Sequence, residues 1–121
     1  MTIFKPINEN EVIGKVKEVF DDIKTTRKIE DVPNFWKYIA NDPDTLERTW
    51  SSMKQVMKKG ALDEMTKELI YVAVSVTNGC EYCIRSHSAA AMKKGATKEM
   101  LSEMIAVTCL LYTSPSPRDD L

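Results

Sequence analysis

Residues 62–94, LDEMTKELIYVAVSVTNGCEYCIRSHSAAAMKK, decide the fold. Met65, Leu69, Ile70, Val72, Ala73 and Val76 recur at three- and four-residue intervals, the spacing of a helix, and Asn78-Gly79 closes the segment. The apolar face is broad, so this helix is expected to be central and mostly buried. Directly after the glycine the chain re-enters a helix at Cys80. It leaves that helix at Lys93-Lys94-Gly95, where two cations and a glycine suit a helix C-terminus.

Outward from this pair the same periodicity holds. Val12, Ile13, Val16, Val19, Phe20 and Ile23 predict an amphipathic helix starting from Asn8 and ending near Arg27, with Asn8 or Asn10 as its cap. Val32 to Ala40 reads as a short aromatic helix beginning at Pro33, and Asn41-Asp42-Pro43 as a turn that caps the next one. That helix carries Leu46, Trp50, Met53 and Met57 on one face and stops near Gly60. Thr97 starts the last helix, with Met100, Leu101, Met104, Ile105 and Val107 inward. Met100 stands where a capping box has an acid, so only the simple Thr97 cap is expected. No period-two alternation is sustained, and the expected fold is all-α: a compact bundle of about five or six short helices, with a CxxC at a helix N-terminus.

At 121 residues the chain is the size of one domain. Its 17 basic and 18 acidic residues are mixed along the chain, which leaves no basic patch for nucleic acid. No apolar run approaches the roughly 18 residues a membrane helix needs, and the start carries no signal-peptide core, so a soluble, cytoplasmic protein is expected. Three cysteines, two of them three residues apart, do not resemble a disulfide-stapled secreted scaffold. The stretch from Cys109 to Asp119 is similar to one reading frame of a widely used transposase-type sequencing adapter. On that expectation residues 1–108 form a single domain, residues 109–121 are a non-native tail, and Cys109 is no third functional thiol. The alternative is a genuine Ser/Pro-rich tail that simply ends the helix.

Cys80-Glu81-Tyr82-Cys83 opens a helix, where free backbone N–H groups and the helix dipole favour thiolate over thiol. Glu81 opposes this with its negative charge. His87, the one histidine in the chain, follows Cys83 by four residues on the same face, placed to exchange a proton with it. Glu68 lies about three turns before the Asn78-Gly79 corner, and its carboxylate reaches the cysteines if the two helices pack antiparallel. Each feature has a plainer explanation. The CxxC is half of a zinc site if His87 and Glu68 complete four ligands, His87 is a structural histidine, and Glu68 is a solvated helix residue.

Glu68 to Ser75, followed by Asn78-Gly79-Cys80-Glu81-Tyr82-Cys83 and Ser86-His87, resembles the core motif of the alkylhydroperoxidase D-like proteins of the carboxymuconolactone decarboxylase superfamily. The match is firm over about residues 62–107 and weaker over 33–57. The resemblance implies an all-helical homo-oligomer, commonly a trimer or hexamer, that reduces a hydroperoxide substrate and is reset by a dithiol or thiol-protein reductant. Carried over by position, Cys83 is the peroxidatic thiol, Cys80 the resolving thiol, and His87 and Glu68 members of a proton relay. Where well-known members have a second histidine just before the peroxidatic cysteine, this chain has Tyr82. No cofactor and no metal are implied. A muconolactone-type decarboxylase, and a redox-sensing dithiol module with little turnover, stand as alternatives.

Overall fold

Among residues 4–112, which the computed structural model describes, every regular element is an α-helix. The described chain divides between Val56 and Met57 into two compact units.

The first unit contains α1 (Gly14–Arg27), α2 (Asn34–Ile39) and most of α3 (Pro43–Met57). α1 begins later than its apolar spacing predicts. Neither Asn8 nor Asn10 caps it, and Ile13 occupies the capping position with no side-chain bond. Asn8 instead accepts the Asn10 N–H at 3.0 Å and its carbonyl takes the Glu11 N–H, so this segment closes a turn of its own. Ile13 is consequently 83% exposed rather than part of the core. Pro33 precedes α2 as its capping residue, and Pro43 opens α3. Asp42 accepts from the Thr45 hydroxyl at 2.7 Å, the expected capping turn.

These helices bury Val19, Phe20 and Ile23 of α1, Val32 and Ala40, Trp36 of α2, and Leu46 and Trp50 of α3 as one cluster. Burying each large side chain contributes about 1.5–3 kcal/mol. Trp36 and Trp50 meet edge to face at 5.3 Å. The Trp50 indole N–H donates to Asp22 at 2.7 Å, so the large ring is buried without an orphaned donor.

The second unit is built on α4 (Glu64–Asn78), against which α5 (Glu81–Lys93) and α6 (Lys98–Tyr112) pack. Asp63 caps α4 by accepting the Thr66 N–H at 2.7 Å, and Thr97 caps α6 by accepting the Met100 N–H at 3.1 Å. α4 is central to this unit but not mostly buried. Glu68, Val72 and Ser75 form its buried stripe, whereas Ile70 and Val74 are 48% and 53% exposed. α5 and α6 cover one side of α4 and leave these two residues on the other. Ile105 and Val107 of α6, expected inward, are likewise exposed; Met100, Leu101 and Met104 alone of that set are partly buried. α6 runs on through Cys109 to Tyr112, and residues 113–121 of the adapter-like stretch lie outside the described residues. Among the described residues no helix is long and apolar enough to cross a membrane.

Candidate active site

The corner between α4 and α5 sets the site. Gly79 has a φ of 68°, and the Cys80 N–H returns to the Ser75 carbonyl at 3.0 Å, a Schellman-type ending. The left-handed conformation costs an L side chain about 1–2 kcal/mol, which is why glycine stands here. The turn makes Cys80 the capping residue of α5, and its sulfur accepts the Cys83 N–H at 3.3 Å. The two cysteines have their Cα atoms 5.3 Å apart and are joined as a disulfide. That separation is ordinary for such a bond.

One turn beyond Cys83, His87 is buried. Its Nδ1 lies 2.6 Å from Oε2 of Glu68, which is buried on α4. A carboxylate only accepts, so Nδ1 carries the proton, and a neutral imidazole keeps its lone pair on Nε2. Lys94 donates to the other Glu68 oxygen at 3.2 Å. Burial pushes the Glu68 carboxyl upward, but hydrogen bonds and charge from His87 and Lys94 outweigh it and hold the group below the usual carboxylate value. Tyr71 lies flat on the imidazole, the centroids 3.6 Å apart and the planes 18° from parallel. Its carbonyl takes the Ser75 hydroxyl at 2.7 Å, which satisfies the other buried polar group of α4.

The four residues predicted from sequence thus fall into two pairs along one helical hairpin, Cys80 with Cys83 and Glu68 with His87. Glu68 contacts His87, not the cysteines as the sequence suggested. At 1.5 Å per residue it lies about 16 Å back from the corner along α4, level with the stretch of α5 between His87 and Lys94. The cysteines sit at the corner itself. From the sequence, Lys94 reads only as a helix-stopping cation and Tyr71 only as one residue of the Glu68–Ser75 motif. A signal exists for both: Lys94 follows His87 by seven residues and Tyr71 follows Glu68 by three, so each shares a helix face with one member of the Glu68–His87 pair. Among the described residues no three of His, Cys, Asp or Glu gather as a metal ion requires.

Residues 43–116 match the carboxymuconolactone decarboxylase family. Among solved structures, the alkylhydroperoxidase AhpD core from Rhodospirillum rubrum superposes with a TM-score of 0.84 at 45% identity, covering 92% of this chain and 84% of that one. No curated protein matches the sequence.

Proposed function

This chain is an alkylhydroperoxidase D-like member of the carboxymuconolactone decarboxylase family, and from that premise we propose that it is a thiol peroxidase working through Cys83 and Cys80. One observation carries the reading: a cysteine pair that closes at the start of α5, one turn ahead of a histidine held by a buried carboxylate.

In the reduced protein Nε2 of His87 takes the Cys83 proton, and Glu68 stabilises the imidazolium through Nδ1–H. The thiolate attacks the outer oxygen of a hydroperoxide. An S–O bond forms, the O–O bond breaks, and the alkoxide leaves as alcohol with the proton held on His87. Cys80, whose sulfur receives the Cys83 N–H, then attacks the sulfenic sulfur as thiolate. The S–S bond forms, the S–O bond breaks, and the departing hydroxide takes up the proton that the Cys80 thiol gave up and leaves as water. The two electrons passed to the peroxide are restored by an external dithiol or thiol protein through exchange. Such chemistry suits a reducing, cytoplasmic compartment. The apolar residues left open on α4 and α6, Ile70, Val74, Ile105 and Val107, support a homo-oligomer, to be read by sedimentation.

The test uses fully reduced protein, an equivalent of organic hydroperoxide, and thiol blocking before and after, with products mapped by peptide mass. The expected product is the Cys80–Cys83 disulfide with one alcohol released. Cys83→Ser should abolish peroxide consumption, and Cys80→Ser should trap a sulfenic acid on Cys83. Hydroperoxide turnover that survives Cys83→Ser sinks the reading. Decarboxylation of a muconolactone that persists without either cysteine would put the lyase reading in its place.

A further inference from the structure

Lys94 takes no part in the thiol chemistry above, yet it is tied to the group behind the base. Its Nζ lies 3.2 Å from Oε1 of Glu68, the oxygen that His87 does not use. The Glu68 side chain is 5% exposed, whereas a third of the Lys94 side chain still meets solvent. The carboxylate is therefore divided between two donors, His87 on α5 and Lys94 just past its end, each with its own oxygen.

A carboxylate so far removed from water tends to take up a proton unless a cation compensates. Once protonated, Glu68 no longer stabilises an imidazolium at Nδ1, and His87 becomes a poorer proton acceptor. An ammonium serving only the helix dipole at the end of α5 would need no buried carboxylate as partner. We propose that Lys94 is a positioning residue of the relay: it keeps Glu68 ionised and turned so that Oε2 accepts the His87 Nδ1–H, which leaves Nε2 as the base for the Cys83 thiol. The role rests on the reading of Glu68, His87 and Cys83 as a proton relay.

Among the described residues, the ion pairs of Glu68 are with His87 and Lys94, and the packed elements carry other charges as well. On α4, Lys67 donates to the Lys58 carbonyl at 2.7 Å, and Glu64 is exposed. On α5, Glu81 pairs with Arg85, and Lys93 is exposed. Lys98, Glu99 and Glu103 of α6 are all exposed.

The sign of the effect follows from charge alone. Removing a cation makes proton uptake easier at every neighbouring site, so a thiol that loses its proton through this relay needs a higher pH to do so. The experiment is the pH profile of iodoacetamide alkylation at Cys83 in reduced full-length protein, read by peptide mass so that Cys80 and Cys109 do not interfere. Lys94→Met should move the rise of the profile to higher pH, making alkylation about three- to tenfold slower at a fixed pH on the acid side. Lys94→Arg should restore the wild-type profile. In a Glu68→Gln background, Lys94→Met should add no shift.

An unmoved profile in Lys94→Met overturns the proposal, as does a shift that persists in full in the Glu68→Gln background, which would mean that Lys94 acts on the thiol directly. A merely structural lysine would lower the rate at all pH values without moving the rise. Alkylation does not depend on peroxide turnover, so the two readings fail separately. If the shifts occur in a protein that turns over no hydroperoxide, the peroxidase reading falls and the positioning role stands.

Discussion

Glu68→Gln and His87→Ala alter opposite ends of the same 2.6 Å hydrogen bond, and they should differ sharply in stability while both lowering reactivity. Glutamine keeps the shape of the carboxylate and still accepts the Nδ1–H. The bond falls from the charge-assisted range, about 1.5–3 kcal/mol, to the neutral one, about 0.5–1.5 kcal/mol. Against that loss, an anion no longer has to be buried, and Lys94, one third exposed, can turn to water. The net cost should be about 1 kcal/mol or less. His87→Ala leaves Oε2 of a buried carboxylate without its ring donor, about 1–3 kcal/mol, and removes the stack on Tyr71, about 0.5–1.5 kcal/mol. Together that is about 1.5–4.5 kcal/mol. Urea titration of the disulfide-bonded proteins measures both, with the slope checked for constancy. Thiol reactivity should fall in both variants, by about tenfold or more in Glu68→Gln and about a hundredfold in His87→Ala. If Glu68→Gln unfolds as easily as His87→Ala, or keeps the full rate of Cys83 alkylation, the account of this pair is wrong.

The Glu68 carboxyl is held below its ordinary value because His87 and Lys94 outweigh the upward push of burial. Its stabilising contribution is therefore complete above the unfolded carboxylate range and is lost as pH falls through the lower folded value. In urea titrations stepped downward from about pH 5, the advantage of wild type over Glu68→Gln should shrink, and an advantage that grows toward acid would contradict the sign. Tyr71→Phe should leave alkylation of Cys83 nearly unchanged, while Tyr71→Leu should slow it several-fold, since the flat face on His87 and not the hydroxyl is what makes contact. In the first unit, Leu46→Ala empties a fully buried site and should cost about 2–5 kcal/mol in denaturant, without altering peroxide-driven disulfide formation under native conditions.

The helices were legible because their apolar residues follow one period and their ends carry recognisable chemistry. Gly79 and Thr97 both do in the structure what their positions in the sequence suggest. The start of α1 was not, because Asn8 satisfies a local turn and leaves Val12 and Ile13 outside the helix. Nor was the exposure of Ile70, Val74, Ile105 and Val107, because periodicity identifies an apolar residue but not whether another helix arrives to cover it. The cysteines and His87 were readable because they lie within a few residues on one helix. Glu68 stands out in the sequence, but its contact with His87 rather than with the cysteines depends on how far along α5 the hairpin brings it. Lys94 was missed for a related reason: a lysine beside a C-terminal glycine already has a local explanation, and only the fold shows that it also reaches a buried acid.

The same geometry bears on whether the pair turns over or signals. A dithiol switch must couple oxidation to a bistable element, so that the two redox states differ in packing or order. Here both sulfurs belong to the first turn of one helix, and the Cα atoms stand 5.3 Å apart, within the range that a disulfide spans with no movement of the backbone. The Gly79 corner and the capped end of α4 lie on the other side of the pair, fixed by backbone bonds that involve neither sulfur. Closing and opening the bond should therefore leave α4 and α5 where they are, with the Glu68–His87 contact kept in both states. That favours repeated turnover over signalling by shape. Amide exchange in the oxidised and reduced protein should differ at residues 80–84 and scarcely elsewhere. Protection lost across α5 or α6 on reduction would instead supply the second state that a sensor requires.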